Sequence, residues 1–154
     1  VFYGADGADV IRGRLGNDSL YAGNAADTVY AGDGNDVVFG GFGRDAIWMG
    51  NGNDRFVDTD QGDAFGSDTI TGGAGADTFV FGIAPSNDVI TDFERGVDTV
   101  ELAAGLVGGR SVAQVVADAE VTSAGVLLSF EGDQSLLLVG LTSTAGLGGD
   151  IDLF

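Results

Sequence analysis

Residues 34–56 read Gly34-Asn35-Asp36-Val37-Val38-Phe39-Gly40-Gly41-Phe42-Gly43-Arg44-Asp45-Ala46-Ile47-Trp48-Met49-Gly50-Asn51-Gly52-Asn53-Asp54-Arg55-Phe56. Three Asp stand nine residues apart, each with Gly two residues before it and a large apolar residue two after. The pattern extends in both directions. Upstream it takes in Asp9, Asp18 and Asp27; downstream, after a step of 14, it resumes at Asp68 and Asp77. The paired apolar residues are Ile11, Leu20, Val29, Val38, Ile47, Phe56, Ile70 and Phe79. The preceding glycines are Gly7, Gly16, Gly34, Gly43, Gly52, Gly66 and Gly75, with Ala25 the exception. A fixed period is the signature of a repeat architecture.

Each unit divides in two. Its Gly-rich part is unfavourable inside a helix or strand and suits a tight turn with positive φ. The three residues after each Asp are rich in Val, Ile, Phe, Tyr and Thr, which favours a very short strand with its middle residue on an apolar face. A six-residue turn reverses the chain, so two units make one coil of 18 residues. Coils stacked at the strand spacing of about 4.8 Å form two parallel sheets with the apolar residues between them.

The stacking also places Asp9 over Asp27, Asp18 over Asp36, Asp27 over Asp45 and Asp36 over Asp54. Like charges 4 Å apart repel by about 4 kcal/mol at an effective dielectric of 20. The chain carries 24 Asp and Glu against six Arg, a formal net charge of −18. Such excess destabilises a compact state unless a cation compensates it; the competing explanation is an acid-rich solubility surface. Oxygen ligands and flexible backbone carbonyls favour calcium over magnesium. The absence of His and Cys disfavours zinc.

The units resemble the Gly-Gly-x-Gly-x-Asp-x-apolar-x nonapeptide of the repeats-in-toxin (RTX) family. Gly40–Trp48 and Gly72-Gly73-Ala74-Gly75-Ala76-Asp77-Thr78-Phe79-Val80 match at every fixed position. The resemblance implies an all-β fold, a right-handed parallel β-roll (β-solenoid) with a C-terminal β-rich cap. It also implies calcium ions held by the Asp side chains and backbone carbonyls of stacked turns. The implied ligands are Asp9, Asp18, Asp27, Asp36, Asp45, Asp54, Asp68 and Asp77, with Gly7, Gly16, Gly34, Gly43, Gly52, Gly66 and Gly75 in the ion-binding turns. Some units depart from the pattern. Ala25 puts a Cβ at a positive-φ position, which is strained and weakens sites on that turn. Ala5 and Arg14 replace the second Gly of their turns. The insert Asp58-Thr59-Asp60-Gln61-Gly62-Asp63 resembles the start of an EF-hand loop with a misplaced Gly and no suitably placed Glu, leaving a calcium contact and a solvated acidic loop both open. Val1-Phe2-Tyr3 fits the strand of a preceding unit, from which further repeats and another domain are expected upstream.

The chain is expected to divide into a roll at 1–80 and a capping region at 81–154. Asn87–Phe93 and Gly96–Leu102 read as two strands around a turn at 94–96. They resemble the segment after the roll in serralysin-type proteases, where the Asp before Phe helps close the last calcium turn; this implies the same for Asp92. Asp88 and Asp98 read chiefly as turn acids. Ser111 is an N-cap for a short amphipathic helix. Residues 125–130 and 135–139 read as a hairpin, and a solenoid needs such a cap. The ending Gly148-Gly149-Asp150-Ile151-Asp152-Leu153-Phe154 resembles the uncleaved signal of type I secretion, against a plain edge strand.

These features exclude several classes. Without His there is neither a Ser-His-Asp triad nor a His-based zinc site, so no catalysis is expected of this segment. The negative charge opposes nucleic acid and anionic membranes. The expected partners are calcium, the type I secretion machinery and an upstream domain of the same protein, with a secreted, extracellular or cell-surface location. One alternative is a polysaccharide-binding or adhesin module using the outward aromatics Tyr21, Tyr30, Phe39 and Trp48; another is the tail of a protease, lipase or alginate epimerase.

Overall fold

A computed structural model of the chain describes residues 1–58, 66–82, 86–132 and 134–154. The repeats form β1 (Phe2–Asp6), β2 (Val10–Leu15), β3 (Ser19–Asn24), β4 (Thr28–Asp33), β5 (Val37–Phe42), β6 (Ala46–Asn51), β7 (Arg55–Asp58), β8 (Thr69–Ala74) and β9 (Thr78–Phe81). Beyond them lie β10 (Asn87–Ile90), β11 (Thr99–Leu102), α1 (Val112–Asp118), β12 (Glu120–Val121), β13 (Gly125–Ser129), β14 (Ser135–Val139) and β15 (Ile151–Leu153). Odd-numbered strands build a seven-stranded sheet in the order β1-β3-β5-β7-β9-β11-β15. The second sheet runs β12-β13-β14-β10-β8-β6-β4-β2. The expected parallel β-roll is the architecture observed.

The register follows the sequence period. Leu20 pairs with Val38, and Val29 with Ile47, 18 residues on. Ile47 pairs with Ile70, so the longer step between Asp54 and Asp68 is absorbed outside the ladder. Most repeat strands are six residues long, not three. The stacked turns bring their own backbone groups opposite one another, and pairing continues through Gly23–Gly41 and Gly32–Gly50.

Between the sheets lie Leu20, Val29, Val38, Ile47, Phe56, Ile70, Phe79, Ile90 and Val100, all fully buried. Because each occupies one rung, deleting a methylene leaves a gap that neighbouring rungs close only in part. Ile47→Val is expected to cost about 0.5–1.5 kcal/mol in denaturant unfolding with calcium present.

The two strands expected at 87–102 differ from the reading in one respect. They do not pair with each other: β10 joins β8, and β11 joins β9, so each adds a rung to its own sheet. The cause is visible in the sequence, since Asp88-Val89-Ile90 and Asp98-Thr99-Val100 repeat the Asp-x-apolar pattern at steps of 11 and 10. The hairpin β13–β14 is antiparallel as expected, but β14 also pairs with β10 and so continues the sheet. Helix α1 has Ser111 as N-cap in a reciprocal capping box with Gln114, and it buries Val115. A bidentate ion pair of Arg55 with Glu101, at 3.1 and 2.6 Å, spans β9 to tie β7 to β11. Both side chains are partly exposed, so its net contribution is about 1 kcal/mol or less.

Candidate metal centre

The turns stack along the two edges of the roll, and each edge carries one column of Asp. Turns leading from the seven-stranded to the eight-stranded sheet hold Asp9, Asp27, Asp45 and Asp68; the return turns hold Asp18, Asp36, Asp54 and Asp77. Within a column each Asp backbone N–H donates to Oδ1 of the Asp one coil further on. Asp9 reaches Asp27 at 2.7 Å, Asp27 reaches Asp45 at 2.8 Å and Asp45 reaches Asp68 at 2.8 Å. On the other edge Asp18 reaches Asp36 at 2.7 Å, Asp36 reaches Asp54 at 2.8 Å and Asp54 reaches Asp77 at 2.9 Å.

The columns do not end with the nonapeptides. Asp68 N donates to Asp88 Oδ1 at 2.8 Å, and Asp77 N to Asp98 Oδ1 at 3.0 Å. Sequence reasoning gave these two residues the weakest role. The Asp-x-apolar spacing of 88–90 and 98–100, taken without the glycines, would have found them. Asp92 stands at the last turn by another route: its oxygens accept from Gly72 N and Gly73 N at 2.9 and 2.8 Å. Of the insert, residues 59–63 lie outside the described residues. Asp58 is described, and its carboxylate oxygen lies within 4.8 Å of those of Asp68 and Asp88.

The bonds between coils engage Oδ1; Asp98 Oδ2 also accepts from Glu94 N at 2.8 Å. The Oδ2 atoms of Asp9, Asp27, Asp36, Asp54 and Asp77 are buried without a hydrogen-bond donor. Two of them face the first residue of their own turns: a Cβ built on Gly4 would lie 3.1 Å from Asp9 Oδ2, and one on Gly72 2.5 Å from Asp77 Oδ2. Orphaned buried carboxylate oxygens are costly, and the protonation equilibria show it. Burial pushes Asp54 and Asp77 up to about 6 and Asp68 up to about 8; neighbouring acids add to the rise and donated backbone N–H groups oppose it. Asp27, Asp36 and Asp98 are raised for the same leading reason. The donor set fits a hard divalent cation held by oxygen, which would supply positive charge to every rung.

The turn glycines behave as expected. Gly34, Gly43, Gly52 and Gly75 have φ between 133° and 143°, while Gly7 and Gly16, in the first coil, have 103° and 102°. Gly66 is buried and borders the segment outside the described residues. Ala25, at the same turn position, is forced to φ 85°, and Ala5 and Arg14 also hold positive φ, at 79° and 83°.

The sequence profile of the RTX calcium-binding nonapeptide repeat matches residues 3–38, 21–56 and 64–83. No curated protein matches the chain by sequence. Among solved structures it is similar to a subunit of the mannuronan C5-epimerase of Azotobacter vinelandii, with 23% identity, TM-score 0.53, and 88% of this chain and 77% of that one covered. It is also similar to an extracellular lipase of Serratia marcescens, with 15% identity, TM-score 0.51, and 97% of this chain covered. It spans 39% of the lipase. Identities this low speak for the fold alone. Matched over Tyr3–Phe56 and residues 64–83, with the Asp columns on both edges, the roll of this chain belongs to the RTX calcium-binding nonapeptide repeat family.

Proposed function

We propose that the chain is a calcium-dependent folding module of a larger secreted protein, with no catalytic role of its own. The roll at 1–80 takes up calcium outside the cell, 81–154 caps it, and the last residues serve type I export. The observation that carries this reading is the set of buried Asp Oδ2 atoms without donors on both edges. In a low-calcium cytosol those oxygens stay uncompensated and the chain stays loose enough to be exported. Extracellular modules bind calcium with Kd on the order of 10⁻⁴–10⁻³ M. A single site at a hundredfold excess adds about 2.7 kcal/mol, so several sites rival the 5–15 kcal/mol or so that stabilises a typical domain. The likeness to an extracellular lipase and to an epimerase subunit supports a role as the tail of such a protein. Ligands of the ion would be Asp9, Asp18, Asp27, Asp36, Asp45, Asp54, Asp68 and Asp77, with Asp88, Asp92 and Asp98 at the last turns. Calcium added to chelated protein should restore far-UV circular dichroism of β type, with a midpoint in that range; full β signal in the chelator would overturn the reading.

A glycan-binding role finds less support in the geometry. The outward aromatics are stacked on one another: Tyr3 on Tyr21 at 4.8 Å, Tyr21 on Phe39 at 4.5 Å, and Tyr30 on Trp48 at 5.0 Å. Arg12 lies 5.2 Å from the Tyr30 ring centroid. Sugars stack on ring faces, and the ladders cover both faces of Tyr21 and turn one face of Trp48 onto Tyr30. Trp48→Ala is expected to leave glycan-array binding unchanged.

A further inference from the structure

We infer that the two edges of the roll load with calcium in order, the Asp18-Asp36-Asp54-Asp77 edge before the Asp9-Asp27-Asp45-Asp68 edge; this rests on the calcium reading above. The edges differ in what joins their turns besides an ion. On the first-loading edge the fifth turn residue is Asn17, Asn35 or Asn53, and these form a ladder. Asn17 Oδ1 accepts from Asn35 N at 2.8 Å, Asn35 Oδ1 from Asn53 N at 3.0 Å, and Asn53 Oδ1 from Ala76 N at 2.9 Å. Backbone bonds of 2.8 Å from Gly16 N to Asp33 O, Gly34 N to Asn51 O and Gly52 N to Ala74 O run beside it, as a 3.1 Å bond from Gly7 N to Asn24 O does on the other edge, so the Asn ladder is the difference. Every described coil has Gly at the fourth turn position on this edge: Gly16, Gly34, Gly52 and Gly75.

The other edge has Ala8, Ala26, Arg44 and Ser67 at the fifth position. The first three have no side-chain acceptor to give. Its fourth position includes Ala25, at φ 85° where Gly43 has 136°. Turns that bond to one another as they close on the ion offset part of the ordering cost of binding, so their site binds more tightly.

The test is a calcium titration of the 15N-labelled chain, read at single amides. Gly34 and Gly52 report the Asn-laddered edge; Gly23 and Gly41 report the other. The first pair should reach its midpoint at calcium about fivefold lower than the second, the scale of one to two net hydrogen bonds. Ala25→Gly should pull the Gly23 and Gly41 midpoint down toward the other without moving Gly34 and Gly52. Asn35→Ala should raise the Gly34 and Gly52 midpoint. A single common midpoint in the wild type, or the reverse order, would overturn the ordered loading while leaving calcium binding intact. Amides that ignore calcium on both edges would remove the metal reading and this inference together.

Discussion

In the presence of a chelator the chain should lose its β structure at pH 8 and regain it as the pH falls toward 4, the reverse of ordinary acid denaturation. The unfolded carboxyls titrate near 3.9. In the metal-free fold, Asp54 and Asp77 are pushed up to about 6 and Asp68 to about 8, chiefly by burial. Asp27, Asp36 and Asp98 move the same way. Between about pH 4 and pH 8 the folded state therefore binds more protons than the unfolded one, and its stability falls as pH rises through that window. Below about pH 4 both states are protonated and this contribution is fully present. Each unit of upward displacement amounts to about 1.4 kcal/mol, and several groups contribute. A proton in this setting stands in for the cation. With calcium saturating, the dependence changes sign, because acid competes with the ion for the same oxygens. Circular dichroism across pH 4–8, with and without chelator, gives two opposed curves; a chelated chain that stays folded at pH 8 or melts on acidification counts against the account.

Gly52→Ala should cost about 3 kcal/mol or more, whereas Gly16→Ala should cost about 1 kcal/mol. Both glycines occupy the fourth position of turns on the same edge, and both have positive φ, 143° and 102°. They differ in what lies beneath them. A Cβ on Gly52 would fall on the Gly34 carbonyl oxygen, closer than real side chains approach, while one on Gly16 meets nothing within 4 Å. The first substitution thus adds a collision between coils to the backbone strain, and the second adds strain alone. Urea unfolding in saturating calcium measures both. Equal costs would mean that the stacked turns part readily and that φ alone sets the requirement for glycine.

Much of this was legible in the sequence because one short rule repeats. A nine-residue step fixes the turn, the strand and the inward residue together, and Asp then falls on Asp without further information. Counting 18 residues to a coil puts Tyr21 beside Phe39 and Tyr30 beside Trp48, and they pair so. Legibility failed where the rule loosened. Asp88 and Asp98 keep the Asp-x-apolar half of the unit but lose its glycines, so they read as ordinary turn acids although they extend both columns. Asp92 was placed at the last turn by resemblance, but its grip on Gly72 and Gly73 depends on a non-local approach of two segments. The Arg55–Glu101 pair, 46 residues apart in sequence, has no local signal at all.

The hairpin β13–β14 brings Ser129 against Ser135, whereas parallel pairs such as Leu20–Val38, Val89–Thr69 and Val100–Ile151 join residues at least 18 apart. Loop closure therefore has its least entropic obstacle near the C-terminal end. Such a stack should nucleate there and grow one way, each finished coil templating the next toward residue 1. Pulse-labelled hydrogen exchange would then show Leu136 and Leu138 protected early and Leu20 late, giving the fold a direction in time as well as in space.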